Sequence, residues 1–455
     1  MCWRESKGFG LKFACNGNEN KHGPFGLWVL SGPQVNLVNA SARLVGSRWA
    51  PGGSALTADS HVKARAEALK PLSKPHYDHR IDFFRGLSLI FIFINHIPEN
   101  AFSYLTSRSF ALFDSAEVFM FLAGYSAALA YYSLVPQGLQ AFSLKALRRA
   151  RAIWTYHLLL VAGLMVAAFV IGEAGIKTDY EIFIDKIESD PVRVLLGTPL
   201  LAFQAPLLDI LPMYVMVTLL APFLIWLRVR GELALLVASG LMWMFTARFF
   251  PTIPTMTYDV AWNFNPFCWQ FLFAIGLAFG WRTRTNMPPV ASGESRRVLD
   301  ICCVLFVAFS ACVLMTIAFE AIDDVAANRL RAMYFSLNKH TLDLWRVVGL
   351  LASAYLVARL IPKDAGWLWF PLSRWVCAAG AASLPIFALT VVLSFAGKFF
   401  VMAFDHSILG DAIATSAGIV IILAVALGLK AGLFRAISDW LLGGIGKPEA
   451  APSCR

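Results

Sequence analysis

From residue 80 onward the chain is a succession of apolar runs, each roughly 20 residues long and separated by short polar stretches. That pattern leaves few folds open. Crossing the ~30 Å hydrocarbon layer takes about 20 predominantly apolar residues in an α-helix, and inside the layer every backbone N–H and C=O must find its partner within protein. The runs centre near 81–98, 110–133, 152–173, 207–228, 232–250, 264–281, 298–321, 344–361, 380–404 and 411–434. They predict an all-α, polytopic transmembrane helix bundle of about ten spans. Composition points the same way: the chain is 58% hydrophobic and 15% charged, whereas soluble domains carry about a quarter charged residues. The 36 Phe and 14 Trp suit lipid-facing surfaces and interfacial belts.

The charges between the runs alternate in sign. Loop 134–151 holds Lys145, Arg148, Arg149 and Arg151. The next, 174–206, is acidic on balance, with Asp179, Glu181, Asp185, Glu188 and Asp190 following Glu173. Arg228 and Arg230, then Arg282, Arg284, Arg296 and Arg297, then Arg359, Lys363 and Arg374 fall on the side of the first basic loop. Lysine and arginine collect in cytoplasmic loops, so both termini are expected in the cytoplasm. Only loop 323–343, mixed in charge, departs from the trend. The net charge of +10 is therefore a topology signal and not a sign of nucleic-acid binding. Residues 1–79 are rich in Gly, Ser, Asn, Lys and Arg, carry no signal-peptide pattern and read as a largely disordered cytoplasmic tail. The apolar stretch Phe25–Val38 within them is too short to span. Residues 441–455 form a short cytoplasmic C-terminal tail. The eight cysteines show no CxxC pair, so neither a zinc site nor a disulfide framework is expected.

Ionisable groups at membrane depth are costly and mark functional sites. The first run carries two, Arg85 and His96. Eleven positions apart, they share nearly one helical face at a separation of roughly 16 Å, an arrangement that suits a ligand entering from one side of a bilayer and used near the other. Further polar clusters converge on the outer side with His96: Asp114 and Glu117 opening span two, Asp209 to Tyr214 opening span four, Trp262 to Gln270 opening span six, and Asn338 to Arg346 opening span eight. Aromatic rings cover sugar C–H faces while amides and carboxylates meet hydroxyls. Trp262, Asn263, Asn265 and Gln270, with Asp209, Tyr214, Lys339 and Arg346, therefore form a candidate saccharide platform. Arg148, Arg149 and Arg151 lie on the opposite side with Arg85, where arginine forks suit phosphates. Each group has a structural alternative. His96 and His157 suit packed histidines, the arginines a topology signal, Asp114 and Glu117 interfacial carboxylates, the 262–270 string an aromatic belt with helix capping, and Lys339 and His340 a solvated loop.

The string Asp82-Phe-Phe-Arg85-Gly86 followed by His96 resembles the Arg-x10-His signature of the acyltransferase-three superfamily of integral membrane acyltransferases. Glu117 to Ser126 resembles its second-span motif, and Arg148-Arg149 before Ile153 its basic approach to span three. The strings Asp209 to Tyr214, Trp262 to Gln270 and Lys339 to Arg346 together resemble the OpgC family, whose members succinylate osmoregulated periplasmic glucans. The resemblance covers about residues 78–440, and residues 80–440 are assigned to the membrane acyltransferase domain. One departure is the Lys339-His340-Thr341 order where the family has Lys-Thr.

The resemblance implies a bacterial inner-membrane enzyme with no bound cofactor. It would take succinyl-CoA or another acyl-CoA as co-substrate and deliver the acyl group to hydroxyls of a periplasmic glucan. His96 would act as general base or carry the acyl group transiently, with Asp114 or Glu117 orienting it. Arg85, Arg148, Arg149 and Arg151 would hold the donor. The succinyl carboxylate would meet Lys339, Arg346 or Arg108, in that order of preference. Competing expectations are acetylation of another envelope saccharide and a non-enzymatic saccharide transporter. No internal repeat of the transporter kind is visible, and transport gives no reason for the Arg85–His96 stripe.

Overall fold

The computed structural model describes residues 77–173, 189–205, 207–256, 261–288, 292–318, 338–404 and 407–432. The tail up to residue 76, most of the acidic loop, the greater part of loop 323–343 and the C-terminal tail lie outside the described residues. Within them the fold is all-helical, with one isolated bridge between Pro254 and Ala261. The helices are α1 His79–Asn95, α2 Ser115–Tyr131, α3 Leu139–Glu173, α4 Pro191–Gly197, α5 Ile210–Arg230, α6 Glu232–Phe249, α7 Pro266–Arg284, α8 Gly293–Ala318, α9 Leu344–Leu360, α10 Pro371–Ala381, α11 Ser383–Ala403 and α12 Ile408–Lys430.

Local chemistry sets most starts. Asp78, Asp343, Asn265 and Ser407 cap α1, α9, α7 and α12 with side-chain oxygens, and Pro266 occupies the first turn of α7, where its missing N–H costs nothing. Asp114 and Glu117 form a reciprocal capping box on α2.

Among the described residues, seven helices are long and apolar enough to cross a membrane: α2, α3, α5, α6, α8, α11 and α12. The chain is a membrane protein. The other three predicted spans coincide with α1, α7 and α9. Of these, α1 and α9 have 17 residues each, about 26 Å of helix, and α7 carries Gln270, Arg282 and Arg284. Much of α7 is buried against its neighbours, so it needs less lipid-compatible surface than a peripheral helix.

Two loop assignments are corrected. The basic cluster expected in loop 134–151 is helical: after Gly138, at φ 86°, α3 runs unbroken for 35 residues and carries Lys145, Arg148, Arg149 and Arg151 in its first turns. Lysine and arginine are good helix formers, and no Gly or Pro interrupts them. Arg374, assigned to a basic loop, lies in the short helix α10, which opens with Pro371.

Two close crossings hold the centre. α2 packs most extensively on α7, and a Cβ added at Gly124 would overlap the Phe273 carbonyl, one at Gly276 the Phe121 carbonyl and one at Gly280 the Tyr125 carbonyl. Small residues four apart let membrane helices bring backbone against backbone. The second crossing joins α1 to α10, where Gly86 meets the Val376 carbonyl and Gly380 the Asp82 carbonyl. Because backbone atoms cannot swing aside, Gly276→Ala should lower the unfolding temperature of detergent-solubilised protein and reduce its monodisperse yield. Gly163→Ala on α3, where an added Cβ meets nothing within 4 Å, should leave both unchanged or raise them. Equal behaviour of the two variants would contradict the crossing.

Candidate active site

The end of the bundle that carries His96 also carries the N-termini of α2, α5, α7 and α9, and the predicted polar groups gather there. Asp114 Oδ1 accepts from the Ser115 N–H at 2.6 Å, while the Asp114 N–H donates to Glu117 Oε2 at 3.0 Å. The second oxygen of each carboxylate takes a cation from the 338–346 segment. Lys339 Nζ donates to Asp114 Oδ2 at 2.8 Å, and Arg346 Nε to Glu117 Oε1 at 2.6 Å. The Glu117 and Arg346 side chains are 0% and 8% exposed, a fully desolvated ion pair between α2 and α9.

Burial alone would raise the Asp114 carboxyl, but the charge and hydrogen bond of Lys339, helped by the Ser115 N–H and Arg346, hold it well below the usual carboxylate range. Burial alone would lower Lys339, but Asp114 and Glu117 outweigh it and raise the ammonium above its ordinary value. The signs agree. The depressed Asp114 contributes stability at pH values above the unfolded carboxylate pKa, and the raised Lys339 contributes below the unfolded lysine pKa, so the pair is intact throughout the neutral range.

Lys339 is fixed from three sides. Its ammonium sits 5.2 Å over the Phe264 ring, its carbonyl accepts the Trp269 indole N–H at 3.0 Å, and the following His340 carbonyl accepts the Asn265 N–H at 3.0 Å. The Trp243 indole donates to the Thr341 and Leu342 carbonyls at 3.0 and 3.1 Å. The two tryptophans thus pin the 339–342 turn, in which Leu342 takes a φ of 58°. Their role was readable only as the general rule that a buried indole N–H finds a partner.

His96 directly follows α1 as its C-cap. Its ring is half-buried. Nδ1 is buried without a hydrogen-bond partner. Glu117, expected to orient His96, is committed to Arg346 and to its own helix cap. Asp209 accepts from Asn263 Nδ2 at 2.6 Å.

The expected saccharide platform is divided. Asn263 is exposed beside Asp209, but Trp262 is buried, with its carbonyl 3.3 Å from His340 Nδ1. Asn265 is buried: its oxygen accepts the Phe267 N–H, and its amide donates to the Phe250 carbonyl at 2.9 Å. Gln270 is fully buried against Ser239, accepting its hydroxyl at 2.7 Å and donating to its carbonyl at 2.9 Å. Tyr214 lies edge-on to Phe119, and its ring is 6.0 Å from the Arg149 guanidinium, whose charge also reaches Tyr131 and Tyr156.

Arg149 is thereby separated from Arg148 and Arg151: it is half-buried among tyrosines while they are exposed. At the other end of α1, Arg85 donates to the Leu122 carbonyl at 3.1 Å and to Ser126 Oγ, with Asp82 Oδ1 at 3.8 Å. It clamps α1 to α2. His157 on α3 is fully buried with neither ring nitrogen bonded. No group of His, Cys, Asp and Glu among the described residues has the make-up of a metal site.

No curated protein and no solved structure matched this chain. The family model described as OpgC protein matches residues 77–431, a stretch that holds every helix described above. The chain belongs to the OpgC family.

Proposed function

We propose that the protein transfers a succinyl group from succinyl-CoA to hydroxyls of periplasmic glucans across the bacterial inner membrane. Membership of the OpgC family points to an acyltransferase-type enzyme. The observation that carries the reaction is His96: a half-buried imidazole that closes α1 at the end of the bundle where the N-termini of α2, α5, α7 and α9 gather. Near pH 7 a neutral imidazole is suited to take a proton from a sugar hydroxyl as it attacks a thioester.

The opposite end is where the donor binds. Arg80, Arg228, Arg230, Arg282, Arg284 and Arg359 collect there, as expected of a cytoplasmic face. Arg149, turned inward, and Arg148 and Arg151 on the same helix supply forks for the phosphates of CoA. Arg85 acts through its clamp on Leu122 and Ser126, which sets the line of α1 from that face to His96. At the His96 end, the exposed Asn263, bonded to the half-buried Asp209, offers polar groups to a glucan, while Lys339 and Arg346 hold the 338–346 segment in place.

The test uses purified protein in detergent with succinyl-CoA, acetyl-CoA and a periplasmic glucan. Free CoA thiol should appear only when glucan is present, matched one for one by a succinyl ester, with acetyl-CoA a poor donor. Equal use of acetyl-CoA would remove the donor assignment. Retention of intact acyl-CoA, with glucan moved across a proteoliposome membrane, would replace the enzyme reading by the transport reading.

A further inference from the structure

We propose that Asp411 of α12, through the turn that it holds, positions His96 for transfer. This rests on the acyl-transfer reading and names a positioning residue for it.

His96 closes α1 as its C-cap, and its ring takes part in no hydrogen bond among the described residues. Where the imidazole stands is therefore set by packing and by the backbone that carries it. That backbone leaves the helix at once. The His96 N–H reaches the Ile92 and Phe93 carbonyls at 3.1 and 3.3 Å, and the Ile97 N–H reaches the Ile94 carbonyl at 3.3 Å. Pro98 has no N–H to continue the ladder. Glu99 then takes a φ of 57°, a left-handed conformation that a residue with a side chain keeps only where its surroundings impose it.

Those surroundings include one stripe of α12. Asn100 Nδ2 donates to Thr415 Oγ1 at 2.9 Å, while Asn100 Oδ1 accepts the Phe102 N–H at 2.9 Å and caps the short 3₁₀ turn Ala101–Leu105. The Ala101 N–H donates to Asp411 Oδ2 at 2.9 Å. Asn100, Asp411 and Thr415 are all buried. Asp411, Thr415 and Gly418 follow one another at helical spacing on one face, and a Cβ added at Gly418 would overlap the Phe93 ring on the last turns of α1. Beyond the turn, Thr106 Oγ1 donates to Asn95 Oδ1 at 2.8 Å and ties residues 95 and 106 together. His96 thus sits on a loop tied at its ends by Thr106 and in its middle by α12.

The first turn of α12, capped by Ser407, suits a carboxylate at Asp411 because the N-terminal end of a helix favours negative charge. Asp411 Oδ1 is buried without a partner. What the side chain gives the turn is therefore one acceptor, Oδ2, and an amide oxygen can stand in for it. Without that acceptor the Ala101 N–H loses its partner, and the left-handed turn beside His96 is free to relax. A general base works only within about 2.6–3.2 Å of the proton it takes, and a misplacement of about 1 Å can cost about 10²-fold in rate. Asp411 acts through the turn, with no contact to either reactant required.

The experiment compares wild type, Asp411→Leu, Asp411→Asn and Thr415→Val as detergent-purified full-length protein, with succinyl-CoA and glucan each varied and deuterium uptake followed over residues 97–106. Asp411→Leu should lower kcat about 10–100-fold while both KM values stay within about twofold, and it should speed uptake over that segment. Asp411→Asn should recover most of the rate and of the protection. Thr415→Val, which removes the partner of Asn100 and alters no charge, should lower kcat about 2–10-fold. Three results would overturn the proposal: an undiminished kcat in Asp411→Leu; a loss confined to KM; or an Asp411→Asn as slow as Asp411→Leu, which would assign the role to the charge. If Asp411→Leu does not fold, Thr415→Val decides, and a wild-type kcat there overturns the proposal. A wild-type protein that turns over no acyl-CoA removes the acyl-transfer reading and the proposal with it, whereas an active wild type beside an undiminished Asp411→Leu removes the proposal alone.

Discussion

Arg346→Met should strip the membrane of most folded protein. The substitution leaves Glu117, fully buried, as an uncompensated charge between α2 and α9. Breaking a buried ion pair from one side costs about 3–5 kcal/mol, a large part of the roughly 5–15 kcal/mol that holds a domain folded. Glu117→Leu should do comparable damage, because it strands the Arg346 guanidinium and also removes half of the capping box on α2. The double variant Glu117→Leu/Arg346→Met should recover much of the yield and unfolding temperature, since apolar groups of similar volume replace such pairs at little or no net cost. It should fall short of wild type by about 1 kcal/mol for the lost cap. Size-exclusion profiles and thermal unfolding of the three variants provide the measurement. Single variants as stable as wild type would mean that the pair is not a structural element and leave it free for chemistry.

His96→Ala should abolish measurable transfer while leaving the fold intact. Removal of a general base typically lowers the rate by about 10²–10⁴. The structure adds a prediction about stability. Nδ1 is buried without a partner, so deleting the ring breaks no hydrogen bond and relieves one orphaned polar atom. The unfolding temperature should therefore stay close to that of wild type, in contrast to Arg346→Met. Succinyl-CoA labelled in the acyl group and quenched early in the first turnover should leave no label on wild-type protein if His96 acts as a base. Label held on His96 would show an acyl-histidine instead. Transfer by His96→Ala at near wild-type rate, in protein of normal stability, would move the chemistry elsewhere.

The sequence carried the helical class, because length and hydrophobicity of a span are local properties. The polar clusters at the starts of α2, α5, α7 and α9 were legible for the same reason: each is a short string at the edge of an apolar run. The partners within that site were not. Glu117 and Arg346 are 229 positions apart, and nothing local tells Glu117 to choose Arg346 over His96. The same holds for the Asp209–Asn263 bond and for the Trp269 indole on the Lys339 carbonyl. Some of what was missed did have a local signal. Asp114-Ser-Ala-Glu117 has capping-box spacing, which assigns one oxygen of each carboxylate before any tertiary contact is known. The absence of Gly or Pro from 139 to 151 signals a helix where charge alone suggested a loop. Asn265 next to Pro266 is a helix start, which explains why its amide serves the chain and not a sugar. Gln270 belongs to the same string as Asn263 but sits more than a turn into α7, bonded to Ser239, a contact no local pattern signals.

The most direct test of acyl transfer to glucan is mass spectrometry of periplasmic glucans from a strain lacking its own transferase and carrying either wild-type protein or the His96→Ala variant. A succinyl-sized mass addition on the glucans of the first strain and none on the second is the predicted result. Unmodified glucans in both strains, with the protein shown by immunoblot to be in the membrane, would contradict it.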